Sequence, residues 1–374
     1  MDLRFSHGTN IYVVRSCCNE DASDLVAIGG EHSVQVLRLT ESKCEVIASF
    51  HIGSRITALA WASNAISPGA GDDWSIQLVA ASFDFRLHHL TKTPSNAENI
   101  YSFAGGISGH HGKINDMTFC GGRGEDSSRY VATVSDDRML MIWDLYPPTE
   151  LPSSPGSMDR DDSPTPPPRA QPTAYVIPFS HPLVSVCSHP LTSKELVVAD
   201  CRGSIFLTDW RSENDEKDRD SWRHSSIMEL TEPSLLTDSS AGISVQWSGS
   251  AGWRRDAMDI IGAAYGPKFH IWDLATLQGG KPRVSGTTFP EGTHRFRWCH
   301  TYPEYFAVSS QSPLKGAVIH MHNINYVHAQ PTVLSILPRP HFVRDFDFLA
   351  APGIPRLVVA VGAELAIFPI GVDS

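Results

Sequence analysis

The first residues in this chain whose types and spacing suggest chemistry are His110, Thr133 and Asp137. A histidine between a hydroxyl and a carboxylate is the arrangement of a catalytic relay, in which the imidazole takes a proton from a nucleophile. The same residue types form a purely structural hydrogen-bond network when a tryptophan indole joins them. Trp143 lies six residues after Asp137, and no separate nucleophile accompanies the set. We therefore interpret the four residues as a structural tetrad and keep the relay as the alternative.

The tetrad belongs to a unit of three β-type runs between residues 109 and 145. GHHGKINDMTFC alternates apolar and polar residues, RYVATVSDD is rich in β-branched residues, and RMLMIWDL ends in Trp143-Asp144. An opening Gly-His and a closing Trp-Asp are the signature of a WD repeat, which folds as one four-stranded blade of a β-propeller.

The same rhythm of strands recurs seven times along the chain. The predicted first strands of the blades are IYVVRSC, ITALAWA, INDMTF, LVSVCSH, ISVQWSG, HRFRWCH and VRDFDFL. In six blades the third strand is followed by a fourth, outer strand. Residues 3–7 are predicted to supply the outer strand of the last blade. Pairing the two chain ends in this way removes open sheet edges. We predict an all-β fold, a single seven-bladed WD-repeat β-propeller over residues 1–374, closed by its N-terminal strand.

Long insertions are predicted on one face of the propeller only. They join the first to the second strand, or the third to the fourth, within blades two to five, at 62–75, 120–128, 146–172, 211–224 and 248–257. Insertions that cluster on one face of a repeat array often mark a binding face. Trp74, Trp222 and Trp253 lie in these loops. We expect them either to anchor a protein interface or to cover the ends of their own blades.

The insertion at 146–172 holds nine of the 26 prolines of the chain. Proline lacks an amide donor and has a fixed φ, so this stretch is predicted to be a disordered segment of polyproline type. Ser154, Ser163 and Thr165 each precede a proline and are candidate sites of proline-directed phosphorylation. An unmodified spacer and a ligand for SH3-type domains are the alternatives.

The charge balance argues against two classes of partner. A formal net charge of −11 and a pI near 5.8 give a surface that repels phosphate backbones and anionic membranes. No apolar run is long enough to cross a bilayer, and the N-terminus lacks the apolar core of a signal peptide. The seven cysteines are scattered. We expect reduced thiols in an intracellular protein, with no nucleic acid bound directly and no membrane insertion.

The common motifs of catalysis are absent from the sequence. There is no G-x-S-x-G, P-loop, G-x-G-x-x-G or H-E-x-x-H. His320 and His322 would share one face of a strand but lack a third ligand at metal spacing, so we predict an outward-facing polar pair. The prediction is a protein that is not an enzyme, with no catalytic residue, no cofactor and no metal.

Several stretches of the sequence are more specific than a generic WD repeat. GHHGKINDMTF, VATVSDDRMLMIWDL, HPLVSVCSHP, LVVADCRGSIFLTDW and HRFRWCHTYPEYFAVSS follow one another in blades three to six. Together they resemble the small (about thirty-seven-kilodalton) WD-repeat nucleoporins of the Y-shaped outer-ring complex of the nuclear pore, in their fungal form. The most diagnostic stretches are SVCSHP and HRFRWC.

The resemblance implies an architectural role in the nucleus, in the pores of the nuclear envelope. The chain would be a monomeric propeller within a hetero-oligomer, docked on the large propeller-and-helix nucleoporin of the short arm, and would support transport of mRNA and protein. Two other classes stay open. One is a WD-repeat adaptor of chromatin or ubiquitin-ligase type that binds peptides at the channel face. The other is an enzyme built in a propeller channel.

Overall fold

A computed structural model of the chain describes residues 2–121, 126–147, 171–211, 227–230 and 248–371. These residues form seven four-stranded sheets in which every neighbouring pair of strands is antiparallel. Each sheet is one blade. The predicted all-β, seven-bladed propeller is therefore confirmed.

The strands of each blade follow one another along the chain from the channel outwards. In blade one they are β2 (Val13–Ser16), β3 (Leu25–Gly29), β4 (Ser33–Leu39) and β5 (Cys44–His51). In blade two they are β6 (Ile56–Trp61), β7 (Ile76–Ser82), β8 (Leu87–Thr93) and β9 (Asn96–Phe103). Blade three has β10 (Ile114–Phe119), β11 (Tyr130–Ser135), β12 (Met139–Asp144) and β13 (Thr173–Pro178).

Blade four has β14 (Leu183–Ser188), β15 (Glu195–Asp200), β16 (Ile205–Asp209) and β17 (Ile227–Leu230). Blade five has β18 (Gly249–Trp253), β19 (Ile260–Tyr265), β20 (Lys268–Asp273) and β21 (Val284–Thr287). Blade six has β22 (Arg295–Trp298), β23 (Tyr305–Ser309), β24 (Ala317–Asn323) and β25 (Thr332–Leu337). Blade seven has β26 (Asp345–Phe348), β27 (Arg356–Val361) and β28 (Glu364–Pro369), with β1 (Leu3–Ser6) outermost.

The core is divided among the seven interfaces between blades. Seven clusters of buried apolar side chains are present in the described part of the chain, and each is built from two neighbouring blades. The second strands are the most completely buried, since β3 (LVAIG) is buried at every position. Burying both faces of these apolar, β-branched strands is the main favourable contribution to folding.

The N-terminal strand completes blade seven, as predicted. Leu3 pairs with Ile367 and Phe5 with Leu365 in an antiparallel ladder between β1 and β28. The side chains of Leu3 and Phe5 also pack against the apolar cluster between blades seven and one. The ring is therefore closed by hydrogen bonds and by apolar contact together.

The predicted first strand of blade five is wrong. That strand is GSAGW at 249–253, inside the segment predicted as an insertion at 248–257, rather than ISVQWSG at 243–249. Blade six lies close to this strand and to the next one. The Gly252 carbonyl accepts a hydrogen bond from Trp298 Nε1 at 3.0 Å, and a Cβ at Gly262 in the next strand would lie 2.3 Å from the ring of Phe296.

Helical structure is confined to single turns in the described residues. Five 3-10 turns are found, at Glu20–Ala22, Gly106–Ser108, Leu274–Thr276, Pro313–Lys315 and Ile324–Tyr326. Across the described ranges, no helix has the length and apolar character needed to cross a membrane.

Candidate protein-binding sites on the propeller

The predicted tetrad is joined into one hydrogen-bond chain in blade three. His110 Nδ1 lies 2.8 Å from Asp137 Oδ2, and His110 Nε2 lies 2.8 Å from the Thr133 hydroxyl. Trp143 Nε1 donates to the same hydroxyl at 3.0 Å. The Thr133 side chain is fully buried, so it is not open to a substrate. This geometry favours the structural interpretation of the tetrad over the catalytic relay.

A ring of charged side chains fills the middle of the central channel. It comes from the innermost strands of blades one, three, six and seven and consists of three arginines and three aspartates, Arg15, Asp116, Arg295, Arg297, Asp345 and Asp347. We call it the channel charge ring. Its two shortest ion pairs join Arg15 to Asp345 at 2.7 Å and to Asp116 at 2.9 Å.

Backbone and hydroxyl groups complete the coordination of the aspartates. The amide of Val14 donates to Asp345 at 2.9 Å, and the Ser185 hydroxyl donates to Asp116 at 3.1 Å. Burial alone would raise the pKa of Asp345, but Arg15, Arg295 and Arg297 lower it to about 2. Asp345 is therefore expected to be charged at neutral pH, and its ion pairs and those of Asp116 tie separate blades together.

One mouth of the channel opens on the face that carries the loops between first and second strands. It forms a cavity of about 590 Å³ whose lining includes Cys18, Arg255 and His300. Cys18 Sγ lies 3.4 Å from His300 Nε2. Burial raises the pKa of Cys18, but Arg255 and His300 outweigh it and lower the pKa below that of an ordinary thiol. The pair has the composition of a thiolate beside a cationic imidazole.

The other mouth opens on the face that carries the connections between blades. It is a cavity of about 350 Å³ whose lining includes Tyr12, Arg55, Lys113, Arg295 and Arg344. The described part of this lining contains no aspartate or glutamate. The first mouth therefore holds a cysteine–histidine pair, whereas the second is lined by arginine and lysine side chains.

The elaborated face carries an aromatic patch where blades three and four meet. The ring centroids of Tyr130 and Trp210 are 5.2 Å apart, and those of Tyr175 and Trp210 are 6.2 Å apart. The Arg211 guanidinium lies 4.2 Å from the centroid of Tyr130. Tyr175 is 55% exposed. We call these four residues the aromatic patch, because tyrosine, tryptophan and arginine are the residue types that dominate protein interfaces.

The predicted interface tryptophans differ in their burial and location. Trp253 is only 5% exposed, lies in the core cluster between blades four and five, and stacks edge-on against His189. Its prediction as an interface anchor is wrong, because it ends strand β18 rather than standing in a loop. Trp74 is half-buried and packs against the cluster between blades one and two. Trp222 lies outside the described residues, as do the candidate phosphorylation sites Ser154, Ser163 and Thr165.

The prediction that His320 and His322 face outwards is also wrong. Both side chains are buried, and the His322 ring stacks on Phe306 with centroids 5.1 Å apart. His320 stacks on Phe289 at 3.8 Å. Aromatic packing between blades five and six therefore accounts for this pair. Within the described ranges, no group of three or more histidine, cysteine, aspartate or glutamate residues is arranged to hold a metal ion.

Comparison with known proteins extends the description of the fold. No protein-family model matches the chain, and no curated protein matches it. Among solved structures, the chain is similar in fold to Raptor. The match to Raptor of Chaetomium thermophilum has a TM-score of 0.66 and 13% sequence identity. It covers 98% of this chain and 29% of that one, so the chain spans less than a third of Raptor's length. At this identity the likeness shows the propeller fold alone.

Proposed function

We propose that this WD-repeat propeller is a protein-binding scaffold, and specifically an architectural subunit of the Y-shaped outer ring of the nuclear pore. A propeller presents several faces to protein partners and needs no chemistry of its own to do so. In this proposal the protein is not an enzyme, it resides at the nuclear envelope, and its chief partner is the large nucleoporin of the short arm.

The observation that carries the scaffold role is the aromatic patch. Its tyrosines and tryptophan supply apolar area, and Arg211 is held over Tyr130 and paired with Asp126 at 2.7 Å. Residues of these types, fixed in place before binding, lose little side-chain entropy when a partner covers them. The patch also lies on the elaborated face, where the sequence places its insertions.

The nucleoporin assignment is supported by where the diagnostic stretches lie. GHHGKINDMTF supplies Asp116, HPLVSVCSHP supplies Ser185, and HRFRWC supplies Arg295 and Arg297. All four residues belong to the channel charge ring or donate to it. Three of the stretches that carry the resemblance thus contribute to the charge ring, together with Arg15, Asp345 and Asp347 from elsewhere in the chain.

Affinity purification from nuclei tests the proposal. A tagged protein is expected to recover outer-ring nucleoporins at stoichiometric levels and to stain the nuclear rim. Tyr175→Glu is expected to abolish that recovery, because it places a charge in the centre of the contact. Tyr326→Glu is the matched control, since Tyr326 is 70% exposed in blade six, away from the patch. Absence of outer-ring nucleoporins with the unchanged protein would overturn the assignment.

A second candidate function is a WD-repeat adaptor that binds peptides at the channel mouth. The specific observation in its favour is the cavity lined by Arg55, Lys113 and Arg344, which lies on the opposite face from the aromatic patch. Alanine substitutions on the two faces separate the candidates. Loss of partners only from the channel mouth would favour the adaptor over the pore scaffold.

A further inference from the structure

Three cations from three different blade connections converge on one mouth of the channel. Arg55 precedes β6, Lys113 precedes β10 and Arg344 precedes β26, and all three line the same cavity of about 350 Å³. We call this cavity, with its three cations and the rings of Tyr12, Phe83 and Phe342 around them, the basic mouth. A protein of net charge −11 thus places a local excess of positive charge at one point.

The guanidinium groups of the basic mouth are held by aromatic rings. Arg55 Cζ lies 4.1 Å from the centroid of Phe83 and 5.2 Å from that of Tyr12. Arg344 Cζ lies 5.1 Å from the centroid of Tyr12 and 4.9 Å from that of Phe342. One tyrosine ring therefore lies within cation–π distance of both arginines. Stacking of this kind orients a guanidinium while leaving its N–H groups free to donate.

These cations have no ion-pair partner among the residues that the structure describes. Among the ion pairs of the described residues, none includes Arg55, Lys113 or Arg344. Arg344 Nε is buried and has no hydrogen-bond partner. Burial lowers the pKa of Lys113, and Arg295 and Arg55 lower it further, against the opposing effect of Asp136. Arg55 and Arg344 are half-buried, and a partly buried cation without an ion-pair partner carries an electrostatic cost that an incoming anion reduces.

The nearby acids are already engaged. Glu31 accepts a hydrogen bond from the Tyr12 hydroxyl at 2.6 Å, and Asp136 accepts one from Asn115 at 2.6 Å. Asp345, deeper in the channel, is paired with Arg15. Among the ion pairs of the described residues, none joins these carboxylates to Arg55, Lys113 or Arg344.

We propose that the basic mouth is a docking site for an acidic peptide segment of a protein partner, whose aspartate or glutamate side chains bind Arg55, Arg344 and Lys113. A guanidinium donates two parallel hydrogen bonds to a carboxylate, which gives direction as well as charge to the contact. The mouth is a single cavity of about 350 Å³ at the end of a channel, whereas nucleic acid requires a groove that follows successive phosphates. The net charge of −11 repels a long polyanion that extends beyond the mouth, and a short acidic segment avoids most of that repulsion.

This inference rests on the protein-binding part of the proposed function and is independent of the nuclear pore assignment. The probe is a fluorescein-labelled hexaglutamate peptide, and the measurement is fluorescence anisotropy with the full chain at low salt. Saturable binding that weakens as salt is added is the expected result.

Charge reversal then locates the site. Arg55→Glu and Arg344→Glu are each expected to weaken hexaglutamate binding by at least about tenfold, through loss of one carboxylate contact and repulsion by the new charge. Lys43→Glu makes the same change in net charge at an exposed position on the opposite face, and it is expected to leave binding unchanged. If a reversal variant fails to fold, as judged by its thermal melt, Arg55→Gln and Arg344→Gln replace it, with a smaller loss expected.

Three results would overturn the inference. They are no saturable binding of hexaglutamate, equal losses from the mouth variants and Lys43→Glu, and tighter binding of a labelled oligouridylate that the mouth variants also abolish. The last would assign the mouth to nucleic acid. Failure to recover outer-ring nucleoporins from nuclei would leave this measurement untouched, so the two proposals fail separately.

Discussion

Arg15 donates to Asp345 at 2.7 Å and so ties the innermost strand of the first blade to that of the last, its neighbour in the ring. Both side chains are largely shielded from water, and Arg295 approaches the second oxygen of Asp345 at 3.3 Å. This ion pair complements the outer closure by strand β1. The ring is therefore closed twice, once at its rim by a sheet ladder and once at its axis by charge.

Asp345→Asn should be strongly destabilising. Removing one partner of a buried ion pair leaves an uncompensated buried charge, which costs about 3–5 kcal/mol. Urea unfolding measures this loss. Glu364→Gln is the control, since it breaks the exposed Arg4–Glu364 pair and should cost less than about 1 kcal/mol. Equal costs for the two variants would contradict the role given to the charge ring.

The lowered pKa of Asp345 predicts that the folded protein loses stability at very low pH. Its pKa is lowered in the folded protein from 3.8 to about 2. The folded state therefore binds fewer protons than the unfolded state in this range, and the free energy of unfolding falls as the pH drops from about 4 to 2. Asp345→Asn should lose this part of the pH dependence.

Thr133→Val should destabilise blade three. The substitution keeps the shape of the side chain but removes the hydroxyl that His110 and Trp143 contact. Leaving buried polar groups without a partner costs about 1–3 kcal/mol. Thr91→Val removes a hydroxyl on β8 that accepts an exposed hydrogen bond from Asn99, and should change the unfolding midpoint little.

Deletion of residues 1–8 should lower the melting temperature and broaden the unfolding transition. The deletion uncovers the edge of β28 and removes the apolar contacts of Leu3 and Phe5. An open edge also favours self-association, which light scattering detects. Arg4→Ala keeps the strand and removes only an exposed ion pair, so it should melt like the parent protein. An unchanged melt after the deletion would refute closure by β1.

The lowered pKa of His322 predicts that the folded protein loses stability in mild acid. Burial, and then the neighbouring His320, lower the pKa of His322 from 6.5 to about 4. The unfolded state binds this proton first, so the free energy of unfolding falls as the pH drops from about 6.5 to 4, by up to about 1.4 kcal/mol per pH unit. His322→Phe should reduce that slope. His51→Phe, on an exposed site of β5, should not.

Cys18 should be the most reactive thiol of the described residues. Burial raises the pKa of Cys44 to about 11, whereas Arg255 and His300 lower that of Cys18. Since the thiolate is the nucleophile, iodoacetamide at neutral pH should label Cys18 several-fold faster than Cys44, as measured by peptide mass spectrometry. His300→Gln should slow the labelling of Cys18 alone. Equal rates in the parent protein would contradict the thiolate assignment.

The repeat pattern predicts the blades well because strand periodicity is a local property. It places six of the seven innermost strands and the closing strand β1. It fails at blade five, where ISVQWSG has the better alternation of polar and apolar residues. In the structure GSAGW pairs with β19 instead, and its Gly252 carbonyl accepts a hydrogen bond from Trp298 of blade six. The local pattern of residues does not report such contacts with a neighbouring blade.

The sequence predicts the candidate sites much less well than it predicts the blades. RFRW and DFDF show charged residues alternating with aromatic ones, which signals that one face of each strand is not ordinary core. The pairing of Asp345 with Arg15, Arg295 and Arg297 depends on blades that lie far apart in sequence. The basic mouth has no motif at all, because Arg55, Lys113 and Arg344 each come from a different connection. Only the closure of the ring brings them together.

The pairing of β1 with β28 joins residues 360 positions apart, as the contact between Arg4 and Glu364 illustrates. During synthesis the ribosome releases the first strand long before its partner exists. Blades one to six are already synthesised when β28 emerges, and β1 has no partner strand until then. Such distant pairing makes ring closure a late event in folding. Strand β1 therefore presents an unpaired edge to other chains from its own synthesis until that of β28.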